Sequence, residues 1–393
     1  MSKILAVNAG SSSLKFQVLE MPNEEVITVG LIERIGLEDG MFKIEFGDEK
    51  VKMTTDIPNH TVAVELLMNA LMDHNIVASF DEISGVGHRV VHGGEKFDKS
   101  VVVTPETLAT IEGLSELAPL HQPANITGIK AFAEKLPNAI SVAVFDTAFH
   151  QTMPEYNYLY ALPYSWYKNH RVRRFGFHGT SHKYVSLKMN EILGKSNTKL
   201  ITCHIGNGAS ICAIENGISI NTSMGLTPNA GLIMGTRSGD IDATIITYIM
   251  EQTNMTSKEI ETILNKESGF LGISEKYSDS RDIEDGIANN DEKCILAQKM
   301  YTRRIVDYIA KYYVELGGCD AIIFTAGLGE KSILTRIDVM NELSALGIVP
   351  DEELNNTRSV ETIITKPESK IPCYVIPTDE ELMIARDTFD IIK

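Results

Sequence analysis

Several cationic and imidazole side chains of this acidic chain stand beside glycine, a combination suited to gripping a small anion. Arg89 lies in GHRVVHGGEKF, between two histidines and before the Gly93–Gly94 break, where an α/β sheet usually opens onto its site. His178 and His182 lie in HRVRRFGFHGTSHKYV, the densest run of positive charge, and Arg237 lies in MGTRSGD between Thr236 and Ser238. A planar guanidinium can meet a carboxylate or phosphate with two parallel hydrogen bonds. Glycine lets backbone come close to whatever is held there. The four-residue spacing of His178 and His182 could place two imidazoles on one helix face as metal ligands, but Gly179 stands where a zinc hydrolase carries glutamate. Gly179, Thr180 and Ser181 read instead as a helix start, so His178 falls near a helix N-terminus, where anions are favoured. Asp146 follows an apolar strand; its bland reading is a cap on the next turn, and in FDTAFH it leads into a loop-rich tract.

A phosphate-sized anion also suits ILAVNAGSSSLKFQVLE. Ile4, Leu5 and Val7 read as one strand and Phe16, Val18 and Leu19 as its partner, with residues 8–13 as the turn. Gly10, flanked by Ser11, Ser12 and Ser13, can aim N–H and O–H donors into one concavity, and Lys15 adds charge. The pattern recurs half a chain later in ITCHIGNGASICAI, whose turn carries Gly206, Asn207, Gly208 and Ser210. A long-period repeat implies a duplicated domain with one loop per half, and two facing loops would form a cleft.

A chain of 393 residues with 43% apolar content fits two domains. A net charge of −17 and a pI near 5.1 argue against nucleic-acid and acidic-membrane binding. Five cysteines without a CxxC pair read as reduced, mostly buried thiols. Neither a signal-like leader nor an apolar run of about eighteen residues is present, so a soluble cytoplasmic protein is expected.

The elements that would position these groups follow from periodicity and punctuation. Strands are expected at 26–32, 42–46, 83–91, 140–145, 319–325 and 373–377; helices at 61–74 with Asn59 as cap, 125–136, from Gly179 to a Gly194 stop and, after helical patterns alternating with connections through 248–264, at 292–316. In the last of these, Ile305, Ile309, Tyr312 and Leu316 mark a core face. The glycine-rich segment 221–242 is long enough to be functional, and 278–285 is a polar helix start. AGLGEKS makes a strand–glycine–helix turn suited to nucleotides. Glu380 begins a terminal helix that returns to the first domain. The boundary falls near 147, giving domains 1–147 with 382–393, and 148–381.

NAGSSSLKF, GHRVVHGGE, FDTAFH, GFHGTSH, HIGNGAS, MGTRSGD and FTAGLGE, in this order over essentially the whole chain, closely resemble the acetokinase family. The resemblance implies an α/β, duplicated two-domain actin-like ATPase (ribonuclease H-like) fold with an interdomain active-site cleft. It implies reversible, direct in-line transfer of the γ-phosphoryl of ATP to acetate, giving acetyl phosphate and ADP, with Mg2+ (Mn2+ able to substitute) and a homodimer. Such transfer is mostly positioning and charge neutralisation.

Residue by residue, the resemblance gives Arg89 and Arg237 the carboxylate and the migrating phosphoryl group, and His178 an equatorial oxygen. Asp146 matches the catalytic aspartate; because acetate is already ionised at neutral pH, its task is to organise metal, water or the arginines. Asn8 and Glu380 match magnesium-site residues, and Lys15, with Ser11 and Ser13, the phosphate contacts. His204, Ile205, Gly206, Asn207 and Gly208 match the loop beside the ATP phosphates. Asp279, Ser280 and Arg281, with Gly327, Leu328, Gly329, Glu330 and Lys331, match the ribose and adenine sites, and His121 a further substrate-side residue. Val91, Leu120, Phe177 and Pro228 match the acetate methyl pocket, where one methylene is worth only about 1–3 kcal/mol. Lys331 replaces the family's usual Asn, Asn221 its Asp, and Asn229–Ala230 its Leu-Glu; the first bears on nucleotide preference. The competing readings are a propionate or butyrate kinase, and an actin- or chaperone-like ATPase, which would leave Arg89, His178 and Arg237 without a task.

Overall fold

The computed structural model describes residues 2–119 and 121–393. The chain divides into two compact units, Met1–Gln151 with Asp379–Lys393, and Thr152–Thr378. In the first, β1 (Ser2–Ala9) and β2 (Ser13–Met21) form an antiparallel hairpin extended by β3 (Glu25–Glu33), β4 (Gly40–Phe46) and β5 (Glu49–Thr55). On the other side of β1 lie β6 (Ile83–Val90) and then β8 (Ile140–Phe145), both parallel, with β7 (Val101–Val102) at the edge. Alternation along β1 fills both faces of the sheet. Leu5 and Val7 pack with Phe16 and, from the helix His60–Asp73, Leu67 and Leu71; Ile4 and Ala6 pack with Val142, Ile384 and Ala385. The last two belong to the terminal helix Glu380–Ile392, which comes so close to β6 that a Cβ on Gly87 would lie 2.2 Å from Thr388 Oγ1. That close packing sets Glu380 and Glu381 within the first unit.

The second unit repeats the frame. Its sheet contains β9 (Lys199–Ile205), β10 (Ala209–Glu215), β11 (Ile218–Thr222), β12 (Ala321–Thr325), β13 (Thr362–Ile363) and β14 (Cys373–Val375). The order β11-β10-β9-β12-β14 matches β3-β2-β1-β6-β8 strand for strand, with the same antiparallel and parallel pairings. The edge strand repeats as well, β13 pairing antiparallel with β14 as β7 does with β8, so among the described residues only β4 and β5 extend the first sheet beyond this six-strand frame. The helix Glu292–Leu316 buries Ile305, Ile309, Tyr312 and Leu316 as its spacing predicts; Asp291 caps its start and Gly317 (φ 66°) ends it.

The helical patterns and connection read through 248–264 are two helices, Thr244–Thr253 and Ser257–Lys266, separated where Asn254 turns left-handed (φ 57°) and Thr256 with Glu259 forms a capping box. β5 has only a brief alternation to announce it, Val51 and Met53 set between Lys50, Lys52 and Thr54, and its backbone pairs with the edge of β4. The helix expected from residue 125 begins at Gln122, with Pro123 in its first turn, where the missing N–H costs nothing.

Candidate active site

In the first unit the chemistry gathers at the carboxyl ends of three parallel neighbours. β1, β6 and β8 bring Asn8, Arg89 and Asp146 to one end of the sheet, and the Asp146 N–H donates to Val90 O at 3.0 Å. Arg89 Nε donates to Asp146 Oδ1 at 3.1 Å, Nη2 pairs with Asp146 Oδ2, and Nη1 donates to Asn8 Oδ1 at 3.2 Å. Asp146 is buried, while 20% of the Arg89 side chain remains exposed. Burial alone would lower the Arg89 pKa, but the charges of Asp146 and Glu380 outweigh it and raise it. Burial, then the Asp146 charge, pushes the Glu380 carboxyl up to about 7 against the pull of Arg89.

Lys15 donates to Glu381 Oε2 at 2.8 Å, a buried partner that sequence reading missed. In the turn after β1, Gly10 N–H donates to Ser13 O at 2.8 Å, Ser13 Oγ lies 3.0 Å from where a Gly10 Cβ would sit, and Ser11 is exposed. Two buried amides also escaped notice. Asn125 Oδ1 accepts from Val91 N at 3.1 Å while its Nδ2 donates to Ala9 O at 2.6 Å, tying the ends of β1 and β6 together. Gln122 bonds both backbone groups of His92. Their signal was polarity on the inward face of a short helix. Val91 is buried and His121 immediately precedes that helix; Leu120 lies outside the described residues.

The second unit uses imidazoles and hydroxyls where the first uses carboxylates. His178 sits at the start of the helix Gly179–Leu193 with a left-handed backbone (φ 58°), a strained position for a side chain this large. Its Nδ1 lies 2.9 Å from Ser210 Oγ, and its ring stacks on His204 with centroids 4.0 Å apart. His204 Nδ1 in turn lies 2.8 Å from Ser181 Oγ. Both nitrogens of buried His182 face hydroxyls, Ser210 at 2.8 Å and Thr202 at 2.7 Å. That arrangement makes it a hydrogen-bonded core histidine.

Arg237 Nη1 donates to Pro228 O at 3.2 Å and approaches Met234 Sδ at 3.5 Å. Among the described residues Arg237 forms no ion pair, and burial lowers its pKa. A Cβ on Gly208 would lie 3.4 Å from both Arg237 Nη1 and His178 Nε2, so the absence of a side chain there keeps two anion-seeking groups beside open backbone. The loop is braced from behind: a Cβ on Gly235 would lie 2.7 Å from both Asn207 Oδ1 and Ser278 O.

The other residues expected on the nucleotide side divide. Gly206 borders Ala326 and Gly327, so its loop and the start of the helix Ala326–Lys331 adjoin, with Ile205 buried behind them. Gly327 and Lys331 are exposed and Leu328 half-buried, whereas Gly329 packs against Phe324 and Cys203 backbone. Glu330 turns inward, accepting from Thr378 N at 3.1 Å and Ser359 Oγ at 3.0 Å. Asp279 caps the helix Ser280–Ala288 and pairs with exposed Arg281, which holds its carboxyl down at about 2. Phe177 is buried, and Pro228 contributes the carbonyl that holds Arg237.

The oxygen donors of Asn8, Asp146 and Glu380 are the hard ligands Mg2+ takes, and the raised Glu380 carboxyl beside Asp146 marks negative charge that a cation would relieve. Among the described residues no three His, Cys, Asp or Glu side chains are assembled as a ready-made metal cluster.

A mixed α/β sheet built twice with one strand order, each unit holding an arginine among polar partners at a strand end or loop, is the frame on which the comparisons fall. Residues 3–386 match the acetokinase family. The chain is 56% identical to an acetate kinase of Geobacillus sp. (strain WCH70), with 98% of each chain covered. Its structure superposes on the crystal structure of Porphyromonas gingivalis acetate kinase with a TM-score of 0.95 at 48% identity, and on a propionate kinase from Francisella tularensis with 0.94 at 39%, each over 100% of both chains. The chain belongs to the acetokinase family and is an enzyme of that type.

Proposed function

We propose that the protein is an acetate kinase, transferring the γ-phosphoryl of ATP to acetate reversibly and in line, with Mg2+. The observation that carries this reading is Arg237, a desolvated guanidinium held by a carbonyl and a thioether beside His178. Transfer spreads negative charge over the equatorial oxygens of the migrating group, and donors fixed in place before the reaction stabilise it best. Arg237 and His178 take that role. Arg89, oriented by Asp146 and Asn8, holds the acetate carboxylate. Asp146 has no proton to remove from an acid already ionised, so its task is orientation. Asn8 and Glu380, with Asp146 adjacent, would hold Mg2+, which supplies charge neutralisation on the nucleotide phosphates. Lys15, the Ser11–Ser13 turn and the Gly206–Gly208 turn serve the phosphates; Asp279–Arg281 and Gly327–Lys331 serve the nucleoside.

Val91, Phe177, Pro228 and Leu120 are assigned to the methyl group, which favours acetate over propionate. The chain's identity to the acetate kinase relative exceeds its identity to the propionate kinase, in support of the same preference. A homodimer is the expected assembly, supported by the helix Thr244–Thr253, which has no buried residue and exposes Ile245 and Tyr248. No described helix is long and apolar enough to cross a membrane. Five free cysteines and use of ATP fit the cytoplasm.

The test is to trap acyl phosphate with hydroxylamine while offering formate, acetate, propionate and butyrate with ATP and Mg2+. Acetate is expected to give the highest kcat/KM. No hydroxamate from any acid would end the kinase reading, and a preference for propionate would move the protein to the neighbouring specificity.

A further inference from the structure

His178 can help a phosphoryl oxygen only if its Nε2 carries hydrogen, and the second unit contains a chain of groups able to decide that. Starting from His178 Nδ1, the contacts run to Ser210 Oγ (2.9 Å), from Ser210 Oγ to His182 Nε2 (2.8 Å), and from His182 Nδ1 to Thr202 Oγ1 (2.7 Å). His182, Ser210 and Thr202 are buried. If both imidazoles donated to Ser210, its own buried hydroxyl hydrogen would have no acceptor; otherwise each hydroxyl has one hydrogen to give and each neutral imidazole one N–H, so the chain runs head to tail in one of two directions.

Thr202 chooses between them. If His178 carried its proton on Nδ1, Ser210 would donate to His182 Nε2, His182 would donate to Thr202, and the Thr202 hydroxyl hydrogen would need a further acceptor. Among the described residues Thr202 Oγ1 has no hydrogen-bond partner except His182. That direction therefore buries an unsatisfied donor, whereas the opposite direction leaves only an unused lone pair, which is cheaper. We infer that Thr202, His182 and Ser210 are positioning residues forming a one-way donor chain that fixes His178 as the neutral Nε2–H tautomer. Thr202 donates to His182 Nδ1, His182 Nε2–H to Ser210, and Ser210 to His178 Nδ1, so the His178 proton is aimed at the point beside Gly208 where Arg237 Nη1 also arrives. A doubly protonated His178 would reverse the chain, next to the stacked His204 ring and Arg237.

The inference depends on the acetate kinase reading only for its effect on turnover; the tautomer is a property of the free protein. Nitrogen NMR of 15N-histidine enzyme, with His178 assigned by comparison with His178→Gln, is expected to find hydrogen on Nε2 and none on Nδ1. Thr202→Val removes the end donor at nearly constant shape and should give mixed tautomers, with kcat down about three- to tenfold and both KM values within about twofold. Ser210→Ala should lower kcat by about tenfold or more, and Thr202→Ser should restore both the tautomer and kcat. Hydrogen on Nδ1 in the wild type overturns the inference. So does a Thr202→Val enzyme whose His178 tautomer is unchanged, even if kcat falls, because the hydroxyl would then act through packing. If no acid is phosphorylated but the tautomer responds as stated, the function assignment fails and the donor chain stands.

Discussion

The two units share a six-strand order and direction, yet they hold their arginines in opposite ways. Arg89 projects from β6, the second parallel strand of its sheet, and is gripped by the Asp146 carboxylate and the Asn8 amide. β12 occupies the same place in the second sheet and carries no arginine; Arg237 comes from the loop after β11 and is held by a carbonyl oxygen and a sulfur. Duplication has kept the frame, with a glycine turn after the first strand and site residues at strand ends, but not the chemistry placed on it. A carboxylate partner fixes direction and cancels much of the charge. Neutral partners leave the charge whole at the cost of desolvation, which is the better arrangement where negative charge grows during the reaction.

Removing Arg237 should have the largest effect. Arg237→Ala is expected to lower kcat by roughly a thousandfold or more, in the range of other phosphoryl-stabilising arginines. A loss confined to the acetate KM would make Arg237 a binding group like Arg89 and break the comparison. Asp146→Asn should cost less, about a hundredfold in kcat/KM for acetate, because Arg89 keeps a hydrogen-bond acceptor but loses its bidentate orientation. An equal loss in the two variants would mean that Asp146 does more than orient.

Gly208→Ala sharpens the contrast within the second unit. Its backbone conformation tolerates a methyl group, and the new carbon would meet Arg237 Nη1 and His178 Nε2 at ordinary contact distance, 3.4 Å. It would occupy space assigned to the phosphoryl group without crowding protein. The expected result is a fall in kcat/KM of about tenfold with an unchanged melting temperature. Wild-type kinetics would show that the two groups converge on some other point.

The frame was legible because periodicity and glycine turns report backbone directly: the repeat of residues 4–20 at 201–214 became two sheets with one strand order. Arg89, Asp146, His178 and Arg237 stood out because charge beside glycine or just past an apolar strand is conspicuous. Asn125, Gln122 and Glu381 did not, because a buried polar residue announces itself only through its partners, and those lie on strands or turns distant in sequence. His182 illustrates the same limit. Its spacing from His178 suggested shared ligation, but the partners that give it a task, Thr202 and Ser210, are 20 and 28 residues away. β5 was missed for a third reason: an edge strand formed by backbone pairing imposes little on its side chains, and its alternation is only Val51 and Met53 between lysines.

The smallest expected effect concerns the imidazoles and separates the units by stability. In the second unit the site histidines are tied to hydroxyls at 2.7–2.9 Å. In the first, His88 is buried on β6 next to Arg89, its ring tilted against Phe132 and its Nε2 3.4 Å from Ser141 Oγ. Burial pushes its pKa from 6.5 down to about 3. Below pH 6.5 the unfolded chain takes up a proton on this residue that the folded chain refuses until about pH 3. Stability is therefore lost as pH falls through that window, by at most about 1.4 kcal/mol per pH unit. His88→Leu deletes the titration. Urea denaturation at pH 7.5 and pH 5 should show the wild type losing about 1–2 kcal/mol more than the variant between the two conditions. Equal losses would mean that His88 is hydrated or charged in the folded protein, and the first unit would then hold its buried imidazole much as the second holds its own.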